Sequence, residues 1–410
     1  MSWQARASAL ALGALLAGAA AAAPDEEVLG KAAGYPVCPR GPTLWSPGCL
    51  VGSTSHLGSI LPANKVEKPA EARPLKRAAA EPKFTYSHNL FSGGVDEYLA
   101  RNRTTGLLVM QGDTILLERY QYGRTAAHQM TSFSVAKTFV AMLVGIAIGE
   151  GKIASIDDPA EKYVPELKGS TYGQTPLRHL LTMSSGVRFS EDYYKESDIT
   201  VLGRNTLGGQ SPGGPAAMAP WRDREREVPA GTRYHYASSE THVLGLVLRA
   251  ATGKTLSEYL SEKIWKPMGA EADAWWNIDR SGQEAAYAFL NATVRDFARF
   301  GMLLANDGAL DGKQIIPRDW VIAATSLAGP AFGFGRVSSY FGYGYQTWIV
   351  PSGERRFQAT GFRGQAIYVD AKKKVVIVHT AVRDGPDPGY REQTSLMNSI
   401  ADQLAAQNKL

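Results

Sequence analysis

The sequence predicts an α+β fold in which an antiparallel sheet, built from N- and C-terminal segments and flanked by helices, carries an inserted, mainly helical lobe. Runs of apolar and β-branched residues at 106–120 and again at 343–381 are divided by turn residues, as is typical of antiparallel strands. The stretch between them, at about residues 150–290, is rich in helix start and stop signals. Because strands lie at both ends of the chain and helices in the middle, the two strand regions are expected to share one sheet.

The first residues predict a secretory signal peptide over residues 1–22. Arg6 supplies the positive charge, residues 7–20 form a short apolar region, and alanines precede Pro24 at an expected cleavage site near Ala22. The apolar region is too short for a membrane anchor, and no later segment reaches the length of a membrane span. We therefore expect the protein to be periplasmic or secreted after cleavage.

Residues 23–82 predict an irregular N-terminal extension without a core of its own, because Gly, Pro, Ser and charged residues dominate them. The two cysteines of the chain, Cys38 and Cys49, lie in a Pro/Gly-rich loop of this extension. In an oxidising compartment they are expected to form one disulfide bond. A metal site is the weaker alternative, because two thiols without a nearby histidine are too few ligands. The main domain is then residues 83–410.

Strands and helices of the main domain follow from local patterns. A turn at Gly112-Asp113 separates two strands of a hairpin. A long Gly/Pro stretch at 203–221 predicts a loop that lines the site or is mobile. In chain order, the predicted elements are a helix at 95–102, strands at 106–110 and 114–120, helices at 177–183, 243–250, 256–265 and 293–304, strands at 343–350, 356–360, 365–370 and 375–381, and a helix at 393–407.

Ser134 and Lys137 stand at the head of a strongly apolar segment that extends to Ile146. If this segment is a helix, the two side chains lie on one face about one turn apart. The helix N-terminus also directs free backbone N–H groups at whatever the hydroxyl attacks. Because the segment is apolar nearly all round, the helix is expected to be buried, which lowers the pKa of a lysine. The pair therefore predicts an acyl-transfer nucleophile.

Other interpretations of the serines are less consistent with the sequence. Ser134 could simply cap a surface helix, since its spacing to lysine is a weak motif by itself. Ser211 lies in a Gly-x-Ser-x-Gly pattern, but Pro212 follows it and has no N–H group to hold an oxyanion. A Ser-His-Asp triad is the poorer hypothesis because no aspartate partner is recognisable for the candidate histidines, His235, His242 and His379.

Five phrases carry a family resemblance together: Phe133-Ser-Val-Ala-Lys137, Leu180-Leu-Thr-Met-Ser-Ser-Gly186, Tyr234-His-Tyr-Ala-Ser-Ser239, Asn291-Ala-Thr-Val-Arg-Asp-Phe-Ala-Arg-Phe-Gly301 and Thr360-Gly-Phe-Arg-Gly-Gln365. Their order resembles the serine β-lactamase/penicillin-binding-protein family over roughly residues 85–405. Within that family the chain is similar to the class C-like branch, and it looks closest to the 6-aminohexanoate-dimer hydrolase-like serine hydrolases. The resemblance implies a β-lactamase/transpeptidase-like fold and a hydrolase that needs no metal or organic cofactor.

The resemblance also implies catalytic roles. Tyr236 and Ser238 match the family's Tyr-x-Asn or Tyr-x-Ser element, with Tyr234 as a rival for the tyrosine. The phenol would take the proton of Ser134 and pass it to the leaving group. Whether the lysine or the tyrosine holds the proton at rest stays open, because coupled groups titrate as a pair. The backbone N–H groups of Ser134 and Phe362 would hold the oxyanion.

The family's Lys-Thr-Gly strand is represented here by Ala359-Thr360-Gly361, so its lysine is missing. This loss argues against binding of a β-lactam carboxylate. Arg363 is expected either to replace the charge or to form an exposed salt bridge. Tyr193 and Tyr194 are expected either to line the pocket or to pack within the lobe. The substrate-binding candidates are therefore Ser238, Thr360, Gly361, Tyr193, Tyr194 and Arg363.

Together these residues predict a secreted serine hydrolase that cleaves an amide or ester bond through an acyl-enzyme on Ser134. The alternatives are a β-lactamase or D,D-peptidase/D-aminopeptidase acting on cell-wall-type substrates, and a non-catalytic penicillin-binding-like module. The net charge of +5 is small and the basic residues are scattered, so no nucleic-acid partner is expected. The expected partner is a small-molecule or short peptide-like substrate, whose identity the sequence does not indicate, and the oligomeric state is also left open.

Overall fold

The computed structural model describes residues 22–385 and 389–407, so residues 1–21 of the predicted signal peptide lie outside the described residues. The helices are α1 (Pro47–Ile60), α2 (Val95–Leu99), α3 (Ala136–Gly149), α4 (Leu177–Leu181), α5 (Asp198–Thr206), α6 (Ser238–Thr252), α7 (Leu256–Leu260), α8 (Val294–Ala305), α9 (Arg318–Ala324) and α10 (Tyr390–Gln407). Within the described ranges, none of these helices is long and apolar enough to cross a membrane.

The strands fall into one large sheet and three small ones. They are β1 (Ala63–Val66), β2 (Lys76–Arg77), β3 (Thr85–His88), β4 (Phe91–Gly94), β5 (Thr104–Gln111), β6 (Thr114–Tyr120), β7 (Gln129–Thr131), β8 (Ala274–Asn277), β9 (Leu290–Thr293), β10 (Ala309–Leu310), β11 (Lys313–Gln314), β12 (Gly342–Tyr343), β13 (Trp348–Ile349), β14 (Arg356–Gly361), β15 (Gln365–Asp370) and β16 (Val375–Ala381).

The eight-stranded sheet joins the two ends of the chain in the order β12-β13-β14-β15-β16-β5-β6-β2. β16 pairs antiparallel with β5, which places Val378 opposite Leu108. The predicted hairpin corresponds to β5 and β6, and every neighbouring pair is antiparallel except β2 with β6. The predicted α+β fold, with its sheet built from N- and C-terminal segments around a helical insertion, is confirmed.

The middle strands of this sheet are buried on both faces because successive side chains alternate between two cores. On one face, Leu108 and Val378 belong to the larger core, which also contains the apolar sides of α3 and α8. On the opposite face, Leu107 and Ile377 pack against the apolar side of α10. This two-sided burial explains why these strands are continuous apolar runs in the sequence.

Helix α3 packs against α6, α8 and α9 and is buried on nearly every side. Phe139 stacks on Phe300 of α8, with ring centroids 3.6 Å apart. Gly145 lets the indole of Trp320 lie directly on the helix, since an added Cβ would be 2.2 Å from that ring. These contacts fix α3, and therefore the Ser-x-x-Lys turn at its start, relative to α8 and α9.

The segment 23–82 is more regular than the predicted irregular extension. It contains α1, and β1 pairs with β8 in a four-stranded sheet that also includes β7 and β9. The side chains of Thr54 and Ser55 donate to the carbonyl groups of Leu50 and Val51, each over 2.8 Å. Such local bonds let small polar residues occupy a buried helix without a clear apolar stripe, which is why the sequence pattern did not predict it. The Cys38–Cys49 disulfide is present, as expected.

Two other expectations were wrong in detail. The predicted loop 203–221 includes the end of α5 and a 3₁₀ helix at Gly214–Trp221, anchored by a fully buried indole. The predicted strand 343–350 is broken into β12 and β13 by a turn in which Gln346 has φ +52°. The backbone carbonyl of Gln346 accepts from Thr138 of α3, and its side chain accepts from Thr241 of α6. Tertiary contacts therefore override the local strand pattern here.

We expect Phe139→Ala to lower the free energy of unfolding by about 3–5 kcal/mol, because it opens a cavity between α3 and α8. Urea unfolding followed by circular dichroism measures this change. Phe334→Ala is the matched control, since that phenylalanine is 44% exposed and should change stability by less than about 0.5 kcal/mol. Equal losses from the two substitutions would contradict the described packing of α3.

Candidate active site

Ser134 lies in a 3₁₀ turn, Phe133–Val135, that leads directly into α3. Phe133 has φ +42°, and its ring packs edge-on against Phe289 and Phe362 at 5.8 and 5.7 Å. Ser132 ties the turn to β9, because its N–H donates to the Leu290 carbonyl and its hydroxyl accepts from the Leu290 N–H. Buried neighbours thus hold a backbone that would otherwise be strained, and Ser134 itself stays partly exposed.

Lys137 lies one turn further along, as the spacing predicts. Its Nζ is 2.9 Å from the Ser134 Oγ and donates to the Tyr287 carbonyl over 2.8 Å. The side chain is 2% exposed, and burial lowers the pKa of Lys137 to about 7, although the nearby Glu191 carboxylate raises it in part. A lysine with such a pKa is neutral in a large fraction of molecules near pH 7 and can accept a proton.

Of the two candidate tyrosines, Tyr236 lies beside the nucleophile. It lines the same cavity as Ser134, and its ring lies 5.0 Å from the Lys137 Nζ and stacks on Trp348. Burial raises the pKa of the Tyr236 phenol well above its ordinary value, and the nearby carboxylate adds to this effect. The rival Tyr234 packs on Tyr343 and on Trp348, and its buried hydroxyl has no hydrogen-bond partner among the described residues.

The end of β14 passes directly beside the nucleophile turn. A Cβ added at Gly361 would lie 2.4 Å from the Ser132 carbonyl oxygen and 3.1 Å from the Ser134 nitrogen. Only glycine therefore permits this approach of the two backbones. Thr360 lines the cavity in front of Ser134 together with Gly361, and Phe362 follows as the next residue of the chain.

Tyr193 and Tyr194 line the site rather than the interior of the lobe. The ring of Tyr193 stacks on Phe362, with centroids 4.6 Å apart. The hydroxyl of Tyr194 donates to the carbonyl of Gly385. The two tyrosines thus connect the helical lobe to the segments that follow β14 and β16, across the mouth of the site.

The guanidinium group of Arg363 is bound by other groups of the protein. Its side chain is mostly buried, and its Nη1 donates to the Arg383 carbonyl over 2.7 Å and lies 3.4 Å from Asp384. It is therefore neither the exposed arginine nor the free replacement for the missing lysine that the sequence suggested. Burial lowers the pKa of the Arg363 guanidinium, but its carbonyl and carboxylate partners satisfy it as a cation.

Glu191 is a site residue that the sequence did not indicate. Its Oε1 accepts from the Ser238 hydroxyl at 2.5 Å and from the Tyr193 hydroxyl at 2.6 Å, while its Oε2 accepts from the Ser238 N–H at 3.0 Å. Ser238 therefore holds a carboxylate at the start of α6 rather than facing a substrate freely. An acidic residue in a polar loop carries no pattern that distinguishes it from a solvated one, so no sequence signal pointed to it.

Two cavities meet at Ser134, and both include Tyr193 and Phe362 in their walls. The first, here called the nucleophile cleft, has a volume of about 390 Å³. Its remaining lining residues include Glu191, Tyr194, Tyr236, Trp348, Thr360, Gly361 and Tyr390. The second, here called the aromatic cavity, has a volume of about 340 Å³. Its remaining lining residues include Trp45, Phe133, Ile199, Gly203, Tyr287 and Phe289.

The alternative nucleophile and bases lie elsewhere. The hydroxyl of Ser211 accepts from the Gly213 N–H within its own loop. The His235 ring contacts the Phe189 carbonyl over 2.6 Å. His379 lies between Gly364 and Tyr98 in the sheet, and His242 is buried beside the Tyr287 ring. A Ser-His-Asp triad is therefore not assembled from the described residues.

Comparison with known proteins agrees with this geometry. A family model described as Beta-lactamase matches residues 93–402. The 6-aminohexanoate-dimer hydrolase of Paenarthrobacter ureafaciens is 27% identical over 370 residues, which cover 84% of this chain and 88% of that protein. The structure of a putative 6-aminohexanoate-dimer hydrolase from Bacillus anthracis superposes with a TM-score of 0.80 at 27% identity, covering 91% of this chain and 97% of that one. The D-aminopeptidase of Brucella anthropi is 28% identical over 141 residues, or 34% of this chain and 25% of that protein. The chain therefore belongs to the beta-lactamase family.

Proposed function

We propose that this protein is a secreted or periplasmic serine hydrolase that cleaves an amide or ester bond through an acyl-enzyme on Ser134. The observation that carries the proposal is the 2.9 Å contact between the Ser134 Oγ and the Nζ of a buried lysine. A hydroxyl beside an amine of lowered pKa has the arrangement of an activated nucleophile. The disulfide in the N-terminal segment supports an oxidising compartment.

In the proposed acylation step, the Ser134 Oγ bonds to the substrate carbonyl carbon as its proton moves to the neutral amine of Lys137. Tyr236 is then a neutral phenol that passes a proton to the leaving alcohol or amine and is reprotonated from the lysine. The base in this step is the lysine rather than a tyrosinate, because burial raises the pKa of the Tyr236 phenol and lowers the pKa of the Lys137 amine. Water attacks the ester in the second step and releases the acid.

The oxyanion is proposed to lie between the N–H groups of Ser134 and Phe362. The close approach of Gly361 to the Ser134 nitrogen supports this assignment, because it brings the peptide that precedes Phe362 beside the nucleophile. Each such donor typically contributes about 3–4 kcal/mol to transition-state stabilisation.

The substrate is proposed to be a linear amide or ester rather than a β-lactam. Ala359 stands where the family pattern has lysine, and the charge of Arg363 is bound within the protein. The names of the relatives, a 6-aminohexanoate-dimer hydrolase and a D-aminopeptidase, are consistent with amide cleavage. Because the proton-transfer groups are all present, a module that only binds without turnover is the weaker alternative.

Replacement of Ser134 by alanine should abolish covalent labelling by a fluorophosphonate and reduce hydrolysis by about 10⁴-fold or more. Intact-mass spectrometry and peptide mapping measure the adduct. Ser211→Ala is the matched control and should be labelled like the unmodified protein. An adduct on the Ser134→Ala protein, or loss of labelling only in the Ser211→Ala protein, would refute the assignment of the nucleophile.

Acylation should rise with pH to a plateau above about 7, because the base must be the neutral amine of Lys137. Below that value the rate should fall about tenfold per pH unit. Glu191→Gln removes the charge that raises this pKa, so the midpoint should move to lower pH. Glu225→Gln, an exposed carboxylate away from the site, should leave the midpoint in place. Stopped-flow phosphonylation across pH 5–9 measures the profiles, and a pH-independent rate would contradict a lysine base.

Gly361→Ala should slow acylation by about 10²-fold while the protein stays folded, because the new methyl group displaces β14 from the nucleophile turn. Gly353→Ala is the matched control, since nothing lies within 4 Å of a Cβ built there. The rate of fluorophosphonate labelling and the melting temperature are measured together. Full activity in the Gly361→Ala protein would show that the approach of β14 does not matter for catalysis.

A further inference from the structure

The aromatic cavity reaches the nucleophile, yet the mechanism proposed above does not use it. Ser134, Tyr193 and Phe362 belong to both cavities, so the stacked Tyr193 and Phe362 rings form a wall that the two cavities share. A volume of about 340 Å³ places the aromatic cavity in the range of small-molecule sites. Any substrate with its carbonyl at Ser134 has two substituents, and each needs space on one side of that carbon.

Trp45 brings the N-terminal segment into this cavity. Its ring lies 6.0 Å from the ring of Phe133, the residue before the nucleophile. The loop that carries it is closed by the Cys38–Cys49 disulfide, and Arg40 donates to the Leu207 carbonyl of the helical lobe over 2.8 Å. The family match begins at residue 93, so this wall comes from outside the matched region.

The position of Tyr236 decides which half of the substrate lies in which cavity. A leaving group must receive a proton as its bond to the carbonyl carbon breaks. Tyr236 lines the nucleophile cleft and is not among the residues that line the aromatic cavity. The leaving alcohol or amine therefore belongs in the nucleophile cleft, which leaves the aromatic cavity for the acyl group.

The lining of the aromatic cavity indicates the chemistry of that acyl group. Most of its walls are apolar or aromatic, and two of its polar side chains, Ser238 and Arg363, already form hydrogen bonds within the protein. The Ser238 hydroxyl donates to Glu191, and the Arg363 guanidinium is held by the Arg383 carbonyl and Asp384. A charged acyl group would lose its hydration there without a free partner, whereas an apolar one would gain from burial.

We infer that the aromatic cavity, walled by Trp45, is the acyl-binding subsite and takes an uncharged apolar acyl group such as an alkanoyl chain. This inference rests on the proposed function. In the step concerned, the bond from Ser134 Oγ to the acyl carbon forms and the bond to the leaving oxygen or nitrogen breaks. The serine proton reaches that leaving atom through Lys137 and Tyr236, and water later releases the acid.

The test compares kcat/KM for p-nitrophenyl hexanoate and p-nitrophenyl acetate. In the unmodified protein the hexanoate should be preferred, and Trp45→Ala should reduce the hexanoate-to-acetate ratio by about tenfold, because one wall of the subsite is lost. Val37→Ala, an exposed position on the same segment, is the control and should leave the ratio unchanged. With hexyl and ethyl acetate, where the leaving alcohol varies, Trp45→Ala should leave the ratio unchanged.

A second variant keeps the test independent of the stability of the Trp45 loop. Gly203 of α5 lines the aromatic cavity, and nothing lies within 4 Å of a Cβ built on it. Gly203→Leu should fill the cavity without disturbing the helix, since leucine favours a helix more than glycine does. It should reduce the hexanoate-to-acetate ratio in the same direction as Trp45→Ala.

An unchanged hexanoate-to-acetate ratio in both variants would overturn the subsite. A change in the alcohol ratio instead would overturn the orientation, because it would place the leaving group in the aromatic cavity. If a fluorophosphonate labels Ser134 but none of these esters is hydrolysed, the assignment of the acyl subsite is refuted and the assignment of the nucleophile is retained. If Ser134 is not labelled, the proposed function and the subsite fail together.

Discussion

The burial of one lysine beside one serine is the constraint on which the rest of the site depends. An ammonium group in the apolar interior is costly, so Lys137 shifts toward its neutral form and becomes able to accept a proton. This requires a deeply buried helix head that still presents Ser134 to solvent. Helix α3 provides it, because its body is packed among α6, α8 and α9 while its first turn opens into two cavities.

The chain topology assembles this arrangement from distant segments. The serine and lysine come from the start of α3, the tyrosine precedes α6, and the strand beside the nucleophile is β14 near the C-terminus. Glu191 joins the lobe to this centre by binding both the backbone and the hydroxyl of Ser238. The same carboxylate is close enough to raise the pKa of Lys137, so it positions the loop and tunes the base together.

Much of this could be predicted where local pattern and burial agree. The hairpin of β5 and β6, the apolar helix α3 and the C-terminal strands could be predicted from residue composition and from the periodicity of apolar residues. The contact between Ser134 and Lys137 could be predicted because a spacing of three residues is about one helical turn. Three features could not be predicted. Helix α1 has no clear apolar stripe in the sequence, because small polar residues occupy some of its buried positions. The break at Gln346 depends on hydrogen bonds from α3 and α6. Glu191 acquires its role only through partners distant in sequence.

The choice between Tyr236 and its neighbour Tyr234 shows the same limit. Both lie in one short motif and both pack against Trp348, and only the position of Tyr236 beside the Lys137 Nζ and in the nucleophile cleft separates them. The disulfide loop is a further case, since an apparently peripheral tryptophan becomes a wall beside the nucleophile. In each case the sequence supplied the residue type, and the fold supplied the partner that gives it a role.

The most direct test of this account is an NMR titration of the protein with ¹³C- and ¹⁵N-labelled lysine side chains. We expect one lysine to titrate near pH 7, as the burial of Lys137 implies, and we expect its signal to be absent from the Lys137→Arg protein. A titration in which every lysine, including Lys137, stays charged up to about pH 10 would contradict the proposed base.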